Sequence, residues 1–422
     1  MPVTSDVAVS TGGARKAGAP LLLNRDRATQ VMAACEISAL VVSHPLHVYY
    51  ATTKLPVLDR MTSFHQSLAV IPADPRLPVC YVGSAFEYYY NVADSDLAPG
   101  IEIHLVTPSA KDPLQAAGSA MMRVLDKAPL EAREAARRAR TESARFHASM
   151  SNALTAVLAR LGIYGGTVGI DSIETQGWLS QAAPGLPTRV ADDLLRHIRL
   201  VKTAPELELM RGAAEANSRA LIAAVQSVRQ CPTLRGLRER YFAEVANRGN
   251  TPVFMLIDGV MDETYDEPLL EGRAFLVDGV SHRAFYQGDY ARTACIGAPT
   301  PELRRVTMAL ELAWHRIRGE LHPGLLFSQI REIGRSSLKA AGYDYTVAFK
   351  PHAVGLTHED QPRMTLEGGP LDLALVEGMV LSVDCPLLDV GVGGSAHLED
   401  LMLITTDGAA VLHTTDPALI TI

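Results

Sequence analysis

Two aspartates eleven positions apart, Asp278 and Asp289, lie in the stretch AFLVDGVSHRAFYQGDYARTACIG, residues 274–297. Each sits in an apolar run, so the stretch reads as two short strands joined by a turn. Alternate residues of a strand face alternate sides, so an antiparallel hairpin can turn both carboxylates the same way. Facing one point among Val, Leu, Phe and Ile, they would repel each other and lose hydration. A bound cation removes both costs. The pair alone fits two solvated turn aspartates equally well, so its chemistry depends on further ligands.

Three later positions supply them. His352 stands in KPHAVGLTH, Asp384 follows MVLSV, and Glu399 lies in AHLEDLMLI. Each is in or beside an apolar strand, where an ionisable group needs a partner. Singly, His352 reads as a core histidine, Asp384 as a strand-end residue and Glu399 as a solvent-facing one. Together with the aspartate pair they make four carboxylates and one imidazole. Four carboxylates balance two divalent cations. Oxygen-rich donors with one nitrogen suit Mn, Fe, Co or Zn rather than copper or iron–sulfur chemistry. Two such ions roughly 3.5–4 Å apart can activate one water and polarise a carbonyl together.

The elements that must position these residues follow from pattern. From about Asn24, DRATQVMAACEI reads as an amphipathic helix, SALVVSHPLHVYYAT as a strand and a second apolar run, and SLAVIPAD, PVCYVGSAF and IEIHLVTP as strands. Strands alternating with helices predict a small α/β domain. Phe86, Tyr88, Tyr89 and Tyr90 read as a packed edge or a dimer contact. Residues 116–161 are dominated by helix formers, and their alternating charges mark a solvated face. The domain boundary is expected between about Gly162 and Arg189. Thr203–Glu206 matches a capping box with Pro205 in the first turn. The helix after it carries an apolar stripe of core character. Helices are expected over 301–320 and 328–341, with Gly342 as a C-terminal cap, and the last third is β-rich.

Composition sets limits. The 422 residues suffice for two or three domains, and the net charge of −8 argues against nonspecific nucleic-acid or anionic membrane binding. Five scattered cysteines without a Cys-x-x-Cys suit a reducing compartment. No apolar run reaches the length of a membrane span, and residues 1–23 have the composition of a mobile tail without a signal-peptide core. A cytoplasmic protein is expected.

The order Asp278, Asp289, His352, an acid at 384 and Glu399, in the phrases LVDG, GDYART, HAVGL, EGMVLSVD and LED followed by ITTDG, resembles the pita-bread metallopeptidases. These include methionine aminopeptidase, aminopeptidase P and prolidase, with creatinase as a metal-free relative. The resemblance implies an α+β architecture. Residues 24–165 would form a creatinase/prolidase-like α/β domain, and residues 166–422 a pita-bread catalytic domain. It further implies that Asp278, Asp289, His352, Asp384 and Glu399 hold two divalent ions, that Asp384 helps activate water, and that the protein is a homodimer.

The chain also departs from the family pattern. Asp384 stands where these peptidases usually place Glu. The segment before the first metal aspartate lacks their usual histidine, leaving Tyr265 as the nearest proton donor. Five residues rather than six separate His352 from His358, a shortening shared with the dimethylsulfoniopropionate lyases of this fold. His397 replaces a common arginine. The main reading is a dinuclear hydrolase of the Xaa-Pro peptidase type acting on a small amide or dipeptide. Asp384 would be ligand and base, His358 would orient the substrate, and Tyr265 or His397 would deliver a proton. The alternatives are a metal-dependent lyase on a small carboxylated metabolite, in which His358 or Asp384 abstracts a proton, and a silent scaffold.

Overall fold

Short runs of Val, Ile, Leu and Ala bounded by Pro, Gly and Asp fold as strands, and the longer stretches with apolar residues at helical spacing fold as helices over them. The computed structural model describes residues 20–61, 65–89, 98, 100–107, 132–388, 391, 393–414 and 417–422. The chain forms two compact units. The first holds Ile37–Val190 and the described residues up to Leu23; the second holds Asn24–Glu36 and Ala191–Ile422. The expected tail falls on residues 1–19, which lie outside the described residues.

The first unit is built on a seven-stranded sheet among the described residues. Its strands are β1 (Ile37–Val42), β2 (Ser67–Pro72), β3 (Val79–Ser84), β4 (Ile101–Val106), β5 (Arg145–His147), β6 (Thr167–Ile170) and β7 (Thr188–Val190), in the order β5-β4-β3-β2-β1-β6-β7. β1 and β2 pair antiparallel, while β6 joins β1 in parallel. The unbroken apolar character of β2 follows from burial of all six residues. The first unit runs to Val190, where β6 and β7 complete its sheet. The helix Arg25–Ala34 belongs instead to the second unit, where Asn24 donates to the Val201 carbonyl at 3.0 Å.

Two stretches take forms that the pattern left open. The apolar run after β1 is a helix, Pro45–Thr52, opened by Pro45 and closed by Thr53 in the left-handed region. The helix-rich stretch is not continuous: the helices Ala132–Glu142 and Met150–Leu161 are separated by β5, which pairs with β4. Of the aromatic group, Tyr88 is buried against Tyr81 and Phe86 is exposed, while Tyr90 lies outside the described residues.

The second unit repeats one plan twice. β8 (Thr251–Ile257), β9 (Ala274–Arg283) and β10 (Tyr286–Cys295) form an antiparallel sheet that β15 (Leu419–Thr421) extends. The helices Ala204–Gln226 and Leu234–Asn247 cover it, burying Leu221, Leu237 and Tyr241 against Val277 and Tyr290. β11 (Lys350–Ala353), β12 (Val380–Asp384), β13 (Met402–Thr405) and β14 (Gly408–Val411) form the other sheet. The helices Pro301–Glu320 and Phe327–Ala340 pack on it through Trp314, Ile317 and Ile330. The Thr203–Glu206 capping box forms as expected.

Candidate metal centre

The β9–β10 hairpin turns through Ala284 and Phe285, both at positive φ. Such a two-residue turn matches strand twist, although the sequence lacks the usual Asn-Gly. Its register sets Asp278 opposite Ala291, two positions from Asp289, so both carboxylates share one face. The glycines beside them serve the opposite face. A Cβ on Gly288 would stand 2.6 Å from the Ala213 carbonyl oxygen, and one on Gly279 would stand 2.8 Å from the Tyr241 ring. The Val-Asp-Gly and Gly-Asp-Tyr phrases therefore combine a carboxylate for one side with room for a helix on the other.

The second sheet supplies the rest. His352 pairs with Ser382 and Asp384 with Lys350, which puts His352 and Asp384 on one face. Glu399 pairs with Ala291 through an isolated antiparallel bridge, its N–H donating to the Ala291 carbonyl at 3.1 Å. The five sequence-derived ligands converge. His352 Nε2 lies 3.4 Å from Glu399, 3.6 Å from Asp289 and 3.7 Å from Asp384. Asp278, Asp384, His397 and Glu399 each offer a ligand atom within 4.8 Å of the others, and Asp289, His352 and His358 form a second such group.

Most of these side chains are buried, whereas those of His358 and Asp384 are 29% and 23% exposed. The centre therefore opens on their side, where the Phe254 ring meets His358 edge-on at 5.4 Å.

The electrostatics call for a cation. Asp278 Oδ1, Asp289 Oδ1 and Glu399 Oε2 are buried with no hydrogen-bond partner, an arrangement that costs free energy unless an ion satisfies it. Burial first, and then Glu399 and Asp289, push Asp278 well above the usual carboxylate range. Burial and Glu399 raise Asp384 to about 6. Burial opposes the charge of Glu399, but His352 and His397 hold it well below its usual range. His358 is likewise opposed by burial, yet Asp289 at 3.1 Å and the other carboxylates raise it to about 10. Four carboxylates and the Nε2 atom of His352 fit a pair of divalent ions.

Supporting residues fix this geometry. Arg292 Nη2 bonds Asp400 at 2.6 Å, Trp314 donates to Asp400 at 2.9 Å, and Arg292 Nη1 donates to the Glu399 carbonyl at 2.8 Å. Ser382 donates to Glu399 Oε1. The loop bearing His358 is anchored behind by Asp360, which pairs with buried Arg199 at 2.7 Å and accepts from Leu356 N–H. Sequence reasoning assigned no role to Arg292, Asp400, Arg199 or Asp360. For Arg292 and Asp400 the signal was a charge inside an apolar run, in DYARTA and LEDLML. Tyr265 is not brought to the centre: it lies in the loop after β8, 43% exposed, with its hydroxyl bonded to Glu267.

Comparison with known proteins agrees with this geometry. Residues 208–406 match the model of metallopeptidase family M24. The chain is 27% identical over 248 residues to the Xaa-Pro dipeptidase of Pyrococcus furiosus, covering 54% of this chain and 67% of that protein. It is 27% identical over 253 residues to the probable dipeptidase PepE of Mycobacterium tuberculosis, covering 58% and 66%. The match thus spans about two thirds of each relative's length. Among solved structures, the prolidase of Pyrococcus horikoshii superposes with a TM-score of 0.67 at 18% identity, over 94% of this chain and 99% of that one, which shows the shared fold. These relatives lend the elimination chemistry no support. By its matched domain, its doubled helix-and-sheet plan and its cage of acids and imidazoles, residues 208–406 carry the domain of metallopeptidase family M24, and the chain shares the fold of prolidase.

Proposed function

We propose that this chain cleaves a small amide of the Xaa-Pro dipeptide type. The observation that carries the reading is the convergence of five separated ligands around three buried carboxylate oxygens without partners. Asp278, Asp289, His352, Asp384 and Glu399 would hold two divalent ions, with Mn, Fe, Co and Zn as the candidates. When bound, such a pair polarises a carbonyl and lowers the pKa of water toward neutrality.

The residues on the open side do the rest. His358, on the open side with its Nε2 3.1 Å from Asp289, orients a substrate carboxylate or carbonyl. Phe254 offers an apolar wall beside it, suited to a proline ring. Asp384 is the exposed acid of the cage, 23% open at the side chain, and accepts the proton released as water attacks. His397, buried against Asp384 and Glu399, stays in the cage, and the proton reaching the leaving amine comes through Asp384. The reading includes a cytoplasmic homodimer. None of the five cysteines is in a disulfide, in keeping with a reducing compartment. No helix among the described residues is long and apolar enough to cross a membrane.

The test is direct. Protein reconstituted with each of the four metals is assayed on a panel of Xaa-Pro and Xaa-Ala dipeptides, with light scattering for the dimer. Metal-dependent release of proline supports the reading. Two tightly bound ions with no cleavage across the panel would end it.

A further inference from the structure

The acid at 384 is one methylene shorter than the glutamate usual in this family, and the cage wall beside it is an imidazole rather than a guanidinium. The structure pairs the two changes. His397 is 2% exposed, and its Nε2 lies 3.9 Å from Asp384 Oδ1 and 3.6 Å from Glu399 Oε2. It falls in one group of possible ligands with Asp278, Asp384 and Glu399.

His397 is held as a ligand would be. Its N–H donates to Thr293 Oγ1 at 3.0 Å, and its carbonyl accepts from the same hydroxyl at 3.1 Å, which pins the residue to β10. On the far side of the ring, Nδ1 lies 3.6 Å from Cys385 Sγ, whose thiol donates to the Leu398 carbonyl at 3.0 Å. With the thiol proton engaged there, Nδ1–H is the donor to sulfur. Nε2 is then the ring atom aimed at the carboxylates. His352 has the same arrangement: Nδ1 faces the His358 carbonyl at 3.3 Å and Nε2 faces the cage. Fixing the remote nitrogen in this way is how proteins orient a metal-binding imidazole.

We propose that His397 is a sixth protein ligand of the metal pair. It coordinates through Nε2 the ion shared by Asp278, Asp384 and Glu399. Each ion then has an imidazole, His352 on one and His397 on the other. A more nitrogen-rich site favours Co, Ni and Zn over Mn, relative to a site with one imidazole. This inference rests on the metal-binding reading above.

The experiment uses the full chain loaded with two equivalents of Co2+. Proton NMR in H2O reads the strongly shifted, solvent-exchangeable ring N–H of each coordinated imidazole. The wild type is expected to show such signals from both His352 and His397, and His397→Gln to lose one of them. Calorimetric titration is expected to show the second ion weakened by more than the roughly 10–100-fold typical of losing an orienting partner. Cys385→Ala should keep the signal but move it. Two ions bound by His397→Gln with unchanged affinity and an unchanged set of signals would overturn the proposal. So would a doubly loaded wild type with a single shifted imidazole N–H, a result that needs no variant to fold. Failure of the wild type to bind Co2+ at all would overturn the metal-binding reading itself.

Discussion

Asp278 and Asp289 ride on one hairpin, whereas His352, Asp384, His397 and Glu399 come from three stretches separated by loops. On the hairpin one register fixes both ligands, and a one-residue slip would turn both away from the centre. On the other half each ligand needs its own support: Ser382 and Arg292 for Glu399, Thr293 and Cys385 for His397, Asp360 for the loop of His358. The hairpin half is rigid through backbone pairing. The other half depends on side-chain hydrogen bonds, so one side chain can change there without shifting a neighbour's register.

The largest test of this contrast removes a hairpin ligand. Asp289→Ala is expected to lower kcat/KM by about 10³-fold or more, since metal polarisation is worth several kcal/mol. Metal content should fall with it while the folded circular dichroism is kept. Full retention of both ions would place the burden of binding on the other half.

Next comes the buried clamp of that other half. Asp400→Ala strands the Arg292 guanidinium and is expected to cost about 3–5 kcal/mol in urea unfolding. A loss within 1 kcal/mol, on the order of a surface substitution, would show that the bridge between Ala291 and Glu399 holds without it.

Gly288→Ala is smaller. Its methyl would meet the Ala213 carbonyl on the back of the hairpin, and the overpacking is expected to cost about 1–3 kcal/mol. Metal affinity should change little, because the carboxylate face keeps its register. A large drop in affinity would mean that the hairpin is less rigid than its pairing suggests.

The weakest effect is a pH slope. Glu206, buried beneath the hairpin and bonded to Tyr286 at 3.0 Å, is raised to about 7 by burial, which outweighs Lys202 and the capping N–H of Thr203. A raised carboxyl contributes stability that is complete below its unfolded value near 4.5 and is lost as pH rises through about 7. Unfolding midpoints of the metal-free protein should therefore fall across that window. Glu206→Gln should flatten the fall by at most about 3–4 kcal/mol, at about 1.36 kcal/mol per pKa unit. An unchanged slope would assign the titration to the cage.

Much of this was legible in the sequence, for identifiable reasons. The hairpin announces itself because a short apolar run and a carboxylate amid Val and Leu are both local signals. His352, Asp384 and Glu399 were found because an ionisable group in an apolar strand is conspicuous. What escaped was non-local. Arg292 and Asp400 are each ordinary until 107 intervening residues bring them together. Tyr265 was chosen by proximity along the chain, and the loop carries it elsewhere, to Glu267. The helix Pro45–Thr52 is as apolar as a strand because it is buried nearly all round, so period could not separate the two.

The bridge between Ala291 and Glu399 lies on the seam between the two sheets, and the ligands on either side belong to different halves. An ion held there fastens the halves as a rivet fastens two plates. Stripping it leaves the plates intact but their join loose, so amide hydrogens along the seam should exchange first, well before those under either pair of helices.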